Sequence, residues 1–246
     1  MTSKFLRHIA CEHCGSTDAN SLYDDGHTHC FACNTTEHEH EAEERHVIRH
    51  NMARKSVTPM DIKGQFKSIP DRGISQATCE KYGVTTDGDN QYYPYTDAAG
   101  VRTAVKQRTV STKKFSISGD FNGATLFGQS LFHEGGKALT ITEGELDALA
   151  AFQMQGSLYP TVSIRNGAQA ALKDCKANYE WINTFDSVVI CFDADEPGKK
   201  AAKEVAELFG NKAKIMQYKD GYKDACEYLQ SGASKEFVNA WWRAAP

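Results

Sequence analysis

Four cysteines near the start of the chain have the spacing of a metal site. Cys11 and Cys14 form one Cys-x-x-Cys pair, and Cys30 and Cys33 form a second pair after fifteen intervening residues. This spacing is typical of a zinc ribbon, in which two tight turns bring four thiolates into a tetrahedron around Zn²⁺. Such a site has no open coordination position, so the sequence predicts one structural zinc ion that stabilises a small N-terminal domain.

Three histidines, His13, His27 and His29, lie close to these cysteines in the sequence. One of them could replace a cysteine as a ligand, but four correctly spaced thiolates favour the all-cysteine set. Imidazoles beside Asp25 are also candidate contacts for a nucleotide base. On their residue types alone, exposed loop residues are the favoured interpretation.

Acidic residues form the second group with chemical potential. Glu143, Asp193 and Asp224 come at or shortly after the ends of the apolar segments ALTIT, DSVVICF and AKIMQY, and Asp195 follows Asp193. Carboxylates that converge repel each other unless protons or cations neutralise them, and Mg²⁺ prefers oxygen ligands. Asp195 precedes Glu196 and Pro197, so helix capping is an equally good interpretation of that residue alone. For Glu143, Asp193 and Asp195 together, a metal site is favoured.

The segments that carry these acids alternate between strands and helices. From about residue 138, four short apolar runs are each followed by a helical pattern. This alternation predicts an α/β fold with a parallel sheet flanked by helices. Ligands of such sheets gather beyond the carboxyl ends of the strands, which is where the acidic residues fall.

A basic hairpin precedes this region. QYYPYTD and VRTAVKQRTV read as two strands, with Gly100 at the turn and Pro94 suited to an edge position. A period of two places Arg102, Ala104, Lys106 and Arg108 on one face of the second strand. With the following lysines and the neighbouring aromatic residues, this face could track a phosphate backbone and stack bases, or it could be a solvated outer face. These further residues are Lys113, Lys114, Tyr92, Tyr93, Tyr95 and Phe115.

Composition and charge fit an ordinary two-part protein. The 246 residues are 40% hydrophobic and 24% charged, and they contain no apolar run long enough for a signal peptide or a membrane span, so a cytoplasmic location is expected.

The four remaining cysteines are scattered singly and are predicted to be structural: Cys79, Cys175, Cys191 and Cys226. Residues 35–50 are acidic and histidine-rich, with His38, His40, His46 and His50 at irregular spacing, which favours a polar connector over a metal site. Residues 51–137 are the only net-positive segment, with 12 basic and 8 acidic residues.

Several of these motifs resemble a known family. EGELD at Glu143–Asp147 and the Asp-x-Asp of CFDADEPG resemble the Toprim signature of DnaG-type primases, topoisomerases and some nucleases. The preceding four-cysteine ribbon, linker and basic strand region occur in the order found in the primase portion of T-odd phage primase-helicases. DGHTHCFAC, TLFG and KDACE extend the resemblance through nearly the whole chain.

The resemblance implies an α/β, Toprim-type parallel sheet flanked by helices, preceded by a mixed α+β basic subdomain and the ribbon. The domains expected from it are a ribbon at 1–34, a flexible linker at 35–60, a basic subdomain at 61–137 and a Toprim subdomain at 138–246. It implies a DNA primase that copies single-stranded DNA into a short RNA primer from ribonucleoside triphosphates. One structural Zn²⁺ and two Mg²⁺, replaceable by Mn²⁺, are the implied cofactors, and a replicative helicase and a DNA polymerase are implied partners.

The resemblance also assigns residues. It gives Glu143, Asp193, Asp195 and Asp224 to magnesium, with Asp220 as a rival of Asp224, and Asp25 and His27 to template bases. The residues implied to be catalytic are Glu143, Asp193, Asp195, Lys106 and Lys113. The basic residues implied to hold the nucleotide or the template are Arg102, Lys106, Arg108, Lys113 and Lys114.

Two other classes share parts of this pattern. A recombination mediator of the RecR kind also joins a zinc element to a Toprim module, but its helical DNA-binding element precedes the zinc site, and only ten residues do so here. A topoisomerase or Toprim nuclease is the third class, and the former needs a large additional domain. Nothing matches G-x-x-x-x-G-K-[ST], so no ATP-driven motor is predicted in this chain.

Overall fold

A computed structural model of the protein describes residues 3–37 and 61–245. The chain divides into two units, residues 1–56 and 57–246. Nearly all of the predicted linker at 35–60 lies outside the described residues, and so do the four histidines predicted to belong to a polar connector. Each unit is described by itself.

The first unit contains a four-stranded antiparallel sheet whose strands follow one another in chain order. A turn with Gly26 at φ 83° joins the second and third strands. The last strand pairs Glu37 with Thr28, so the sheet extends three residues beyond the predicted ribbon boundary at residue 34. The strands are β1 Phe5–Ile9, β2 Asn20–Tyr23, β3 Thr28–Cys30 and β4 Thr35–Glu37.

The second unit begins with a short helix and a second antiparallel sheet, ordered β5-β6-β7-β8. The predicted hairpin is present, and Gly100 at φ 79° lies in its turn. Pro94 lies on an interior strand rather than an edge strand, but beyond the residues that pair with β5, so its missing N–H breaks no ladder. The elements are α1 Gln76–Tyr82, β5 Thr85–Asp87, β6 Asn90–Thr96, β7 Arg102–Thr109 and β8 Lys114–Gly119.

The basic side of β7 is not a solvated outer face, except at Arg102, which is exposed. Ala104 is fully buried, Arg108 is buried, and Lys106 is half-buried. The interpretation of three tyrosines as stacking surfaces is also wrong, because Tyr92, Tyr93 and Tyr95 are all buried. The alternation of side chains is as predicted, but the sequence does not show that the helix beginning at Glu145 and the loops after β8 cover this face.

The remaining strands form the predicted parallel sheet, in the order β10-β9-β11-β12. Helices cover both faces, as the alternation of β11 requires: Val188 and Ile190 face one core, and Val189 and Cys191 face the other. The strands are β9 Leu139–Thr142, β10 Thr161–Ser163, β11 Val188–Cys191 and β12 Ala213–Ile215. The helices are α2 Glu145–Met154, α3 Ala171–Ala177, α4 Tyr179–Ile182, α5 Glu196–Phe209, α6 Ala225–Gln230 and α7 Ser234–Trp242.

The α/β fold class is therefore confirmed, and the four single cysteines are buried as predicted. One apolar core contains Tyr93, Tyr95 and Phe127 together with Leu149 and Phe152 of α2. This core crosses the predicted boundary between residues 137 and 138, so the inner division of the larger unit stays a prediction. Among the described helices, none combines the length and apolarity needed to cross a membrane.

A close backbone approach fixes the start of α5. A Cβ atom at Gly198 would lie 2.2 Å from the carbonyl oxygen of Asp193. The first turn of the helix can therefore pack against the loop after β11 only with glycine at this position.

We expect Gly198→Ala to lower the free energy of unfolding by about 1–3 kcal/mol, because the methyl group must displace backbone. All three tryptophans, Trp181, Trp241 and Trp242, lie in the second unit, so tryptophan fluorescence during urea unfolding reports on that unit alone. Lys200→Ala, on the exposed face of the same helix, is the control and should change the value by less than about 0.5 kcal/mol. Equal stability of both variants would contradict the close approach.

Candidate metal centres

The four predicted cysteines of the first unit converge. The Sγ atoms of Cys11 and Cys33 are 3.7 Å apart, those of Cys14 and Cys30 are 3.7 Å apart, and all four lie within 4.8 Å of one another. Four sulfurs at 2.3 Å from a common metal in a tetrahedron would be ~3.8 Å apart. The arrangement therefore fits a single tetrahedral ion.

The surroundings of the four cysteines shift their pKa values in opposite directions. A backbone hydrogen bond to Ser16 opposes the shift at Cys14, but burial and hydrogen bonds to the other three thiols raise the pKa of Cys14 to about 12. The Thr35 hydroxyl, 3.3 Å from Cys33 Sγ, and the neighbouring thiols lower the pKa of Cys33 to about 6, although desolvation opposes this shift. The nearby histidines have other partners: His13 Nε2 lies 2.9 Å from Glu37 Oε1, and His29 Nδ1 lies 2.7 Å from Thr36 Oγ1. The all-cysteine ligand set is the one that this geometry supports.

The turn between β2 and β3 carries the two residues predicted to contact template bases. The Asp25 carboxylate hydrogen-bonds to Nδ1 of His27, whose ring stacks on Tyr23 with centroids 4.3 Å apart. Desolvation opposes the shift, but the hydrogen bonds and charge of His27 hold the pKa of Asp25 below its usual value. The structure thus brings Asp25 and His27 together and fixes the orientation of the imidazole ring.

In the second unit, the predicted carboxylates lie at the carboxyl edge of the parallel sheet. Glu143 follows β9, and Asp193 follows the neighbouring strand β11. The amide of Ala194 donates to the carbonyl of Lys223 at 2.8 Å, which joins the loop after β11 to the loop that carries Asp224.

Two of these carboxylates also cap helices. Asp195 Oδ1 accepts a hydrogen bond from the amide of Gly198 at 2.8 Å, at the start of α5. Asp224 Oδ1 accepts one from the amide of Glu227 at 2.8 Å, at the start of α6. Each cap engages one carboxylate oxygen, so helix capping and metal binding are compatible at Asp195 and Asp224.

Glu143 has one satisfied oxygen and one orphaned oxygen. Its Oε1 accepts from the amide of Ala168 at 3.1 Å, beside Gly167, whose φ of 69° places the backbone close to the carboxylate. Its Oε2 is buried and has no hydrogen-bond partner among residues 3–37 and 61–245. Burial, together with the charge of Asp195, raises the pKa of Glu143. A buried carboxylate oxygen without a protein partner fits a ligand atom for a cation, because burying it otherwise costs free energy.

Sequence analysis missed one member of this group. Asp147, in the first turn of α2, accepts a hydrogen bond from the amide of Cys226 at 3.0 Å. Burial and the charge of Asp224 raise the pKa of Asp147 to about 6. The signal was present in the motif EGELD, because its last residue lies one helical turn beyond Glu143.

Asp193 lies at the electrostatic centre of the group. Burial raises its pKa to about 8, and the charges of four carboxylates contribute: Asp147, Glu143, Asp224 and Asp195. The donor set therefore consists of hard oxygen ligands whose mutual repulsion a divalent cation would relieve. We name these five residues the acidic edge. Asp220, the sequence rival of Asp224, is exposed and is not among the carboxylates that contribute most to the raised pKa of Asp193.

The predicted basic residues occupy different environments. Lys106 Nζ lies 2.6 Å from Glu145 Oε1, and Arg108 Nη1 donates to Gln91 Oε1 at 3.3 Å. Arg102, Lys113 and Lys114 are exposed. Lys113 has a φ of 54° in the turn between β7 and β8, a region that non-glycine residues seldom occupy.

Known proteins were compared with this chain. A Toprim-like family model matches residues 140–229. The DNA helicase/primase of Enterobacteria phage T3 is 36% identical over 99% of this chain, and the chain spans 44% of that protein's length.

Two solved structures of bacteriophage T7 are also similar. The primase fragment of the T7 primase-helicase protein is 34% identical with a TM-score of 0.69, and the match covers 97% of this chain and all of that one. In the second structure, T7 lagging-strand DNA polymerase interacts with primase domains of two gp4 subunits bound to an RNA/DNA hybrid and dTTP. The matched chain is 36% identical with a TM-score of 0.68, covering 74% of this chain and 94% of that one. The acidic edge therefore lies within a domain of known type, and the chain belongs to the family of the primase part of phage primase-helicases.

Proposed function

We propose that this chain is a DNA primase that copies a single-stranded DNA template into a short RNA primer by nucleotidyl transfer. The observation that carries the proposal is the acidic edge, with its orphaned Glu143 oxygen, in a chain of the primase family. In the proposed reaction, the 3′-hydroxyl of one ribonucleotide loses its proton to solvent and its oxygen bonds to the α-phosphorus of the next. The bond between that phosphorus and the oxygen bridging to the β-phosphate breaks, and pyrophosphate leaves.

Glu143, Asp193, Asp195 and Asp224 would hold two Mg²⁺ ions, for which Mn²⁺ can substitute, with Asp147 adjoining them. When bound, the ions neutralise the charge of the triphosphate and align the reacting oxygens. Backbone amides already hold one oxygen each of Glu143, Asp195 and Asp224, so these carboxylates would need little reorientation to bind the ions.

The basic hairpin supplies the positive charge of the proposed site. Lys106 is oriented by protein acceptors and is the candidate for the triphosphate, whereas exposed Arg102, Lys113 and Lys114 are candidates for template or nucleotide phosphates. The nucleotide contact predicted for Arg108 stays a prediction. Its burial and its hydrogen bond to Gln91 favour an indirect role.

The ribbon would hold one zinc ion through its four cysteines and present Asp25 and His27 to template bases. Starting a chain from two nucleotides leaves little duplex to grip, and a tethered reader raises the local concentration of template. A helicase and a DNA polymerase are the proposed partners. The similar T3 protein is a helicase/primase, and T7 DNA polymerase interacts with primase domains of gp4.

Without divalent cations, the second unit should lose stability as the pH rises. A carboxyl whose pKa is raised on folding stabilises the native state below its unfolded value, near 4, and this stability is lost as the pH rises through the folded value. The pKa values of Asp147 and Asp193, about 6 and about 8, place the loss between pH 4 and pH 8. We expect urea unfolding, followed by tryptophan fluorescence in buffers without divalent cations, to give lower stability at pH 8 than at pH 5.

Added Mg²⁺ should stabilise the second unit more at pH 8 than at pH 5, because it binds the ionised carboxylates. A stabilisation by Mg²⁺ that is the same at both pH values would contradict the acidic edge as the binding site.

Asp193→Asn should abolish primer synthesis, with a loss of at least ~100-fold. Above pH 8, where Asp193 is ionised, it should also raise the stability of the metal-free protein by ~1 kcal/mol, because it removes one repelling charge. Asp220→Asn is the matched control, since Asp220 is exposed and near the same loop. Labelled ribonucleotides, single-stranded DNA and Mg²⁺ give the readout. Short RNA products identify a primase, binding without product a DNA clamp, and cut DNA a nuclease. Loss of activity in Asp220→Asn together with full activity in Asp193→Asn would overturn the assignment.

Cys30→Ser should lower the zinc content and abolish template-dependent initiation, while extension of a supplied short oligoribonucleotide is retained, because the acidic edge belongs to the other unit. His29→Gln is the control beside the same ligand and should keep its zinc, since His29 bonds to Thr36. Zinc is measured by atomic emission, and initiation and extension are measured on the same template. Initiation at the wild-type rate by zinc-depleted Cys30→Ser would show that the ribbon is not needed.

A further inference from the structure

A buried ion pair between Lys106 and Glu145 lies next to the acidic edge. Glu145, the first residue of α2, is buried, and its Oε1 accepts hydrogen bonds from the ammonium of Lys106 at 2.6 Å and from the hydroxyl of Tyr95. The exposed fractions of the Lys106 and Glu145 side chains are 13% and 9%. Two donors on one oxygen of a desolvated carboxylate make a fixed arrangement, unlike a surface ion pair.

A second acceptor holds the same ammonium from another direction. Lys106 Nζ donates to the backbone carbonyl of Arg165 at 3.0 Å, just after β10. The amide of Arg165 donates to Asp174 at 2.7 Å, and its guanidinium donates to Asp174 at 2.6 Å and 3.0 Å. The carbonyl that receives Lys106 is therefore itself held in place by the buried Arg165–Asp174 pair.

The guanidinium of Arg165 also ties this point to the loop after β8. It donates to the carbonyls of Phe121 and Ala124 at 2.8 Å and 2.9 Å. The position of the Lys106 ammonium is thus fixed relative to β7, α2, β10 and this loop together. Glu145 is two residues from Glu143, so the same segment that places a metal ligand also places the lysine.

The ammonium keeps one N–H for a ligand. Two of its three N–H groups have acceptors, and within residues 3–37 and 61–245 the third has none. The half-exposed ring of Phe115 lies over the ammonium, with its centroid 5.2 Å from Nζ. A free lysine side chain would lose rotamer entropy when it binds a phosphate, and a lysine held in advance does not.

We propose that Glu145, oriented by Tyr95, is a positioning residue that holds the Lys106 ammonium where a phosphate oxygen of the incoming nucleotide meets it. The proposal rests on the proposed function, in which Lys106 contacts the triphosphate. The Glu145 carboxylate also reduces the net positive charge beside Lys106. It therefore orients the ammonium but weakens its attraction for the nucleotide phosphate.

The test separates orientation from simple stabilisation. Glu145→Gln keeps the size of the side chain and removes its charge, and we expect kcat for primer synthesis to fall at least ~10-fold while KM for the ribonucleotide changes less than ~2-fold. Tyr95→Phe keeps the buried ring and removes only the hydroxyl, so a smaller fall in kcat is expected. Glu204→Gln, in the exposed pair of Lys200 and Glu204, is the control and should leave both parameters unchanged.

A double-mutant cycle with Lys106→Met completes the experiment. If Glu145 acts through Lys106, Glu145→Gln causes no further loss of kcat in the Lys106→Met background. Additive losses, or a wild-type kcat in Glu145→Gln, would overturn the positioning role of Glu145. Neither result would contradict the proposed primase function. If Glu145→Gln does not fold, the same cycle with Tyr95→Phe and Lys106→Met decides the matter. If the wild-type chain makes no primer, both proposals fail together.

Discussion

Mutual repulsion among carboxylates at one edge of the parallel sheet is the constraint on which the rest of this structure depends. Asp193 is surrounded by four other acidic side chains, and burial and their charges raise its pKa to about 8. Isolated buried carboxylates would be expensive, so the fold supplies partial compensation through backbone amides. The amides of Ala168, Cys226, Gly198 and Glu227 each donate to one carboxylate of the acidic edge.

Those amides come from the beginnings of helices and from a glycine-bearing loop, so the hydrogen bonds that cap α5 and α6 also orient carboxylates of the acidic edge. Asp195 and Asp224 satisfy the first turns of α5 and α6 with one oxygen each. In the proposed metal site, the other oxygen of each carboxylate would bind the cation. The close approach at Gly198 serves the same end, because it holds the start of α5 against the backbone of Asp193.

The sequence predicted the parts of this site that depend on period and chain order. Apolar runs followed by helical patterns fixed the parallel sheet, and the carboxyl ends of neighbouring strands must meet, so Glu143 and Asp193 were placed correctly. Cysteine spacing likewise predicted the cluster of four thiols. Residues whose environment comes from distant segments were not predictable. The period of two gave the correct face for Lys106, but only the packing of α2 and the loop at Phe121 shows that this face is covered.

Asp147 and Glu145 show the same limit within one motif. Both lie in EGELD, yet the sequence does not say which of these acids joins the acidic edge and which pairs with a lysine. Helix geometry separates them: Glu145 opens α2 toward Lys106 and Tyr95, and Asp147, two residues later, faces the amide of Cys226. Two carboxylates of one helical turn thereby acquire opposite electrostatic surroundings.

Charge also divides the work proposed for the two units. Residues 1–34 carry 2 basic and 4 acidic residues, so the ribbon repels a phosphate backbone, whereas residues 51–137 carry an excess of four positive charges. Most affinity for nucleic acid comes from phosphate contacts, and sequence information comes from base contacts. An acidic ribbon that presents an oriented imidazole beside Asp25 is therefore suited to discriminate bases and poorly suited to hold a strand. Binding strength must then come from the basic hairpin, and raising the salt concentration should weaken template binding without changing which template bases are preferred.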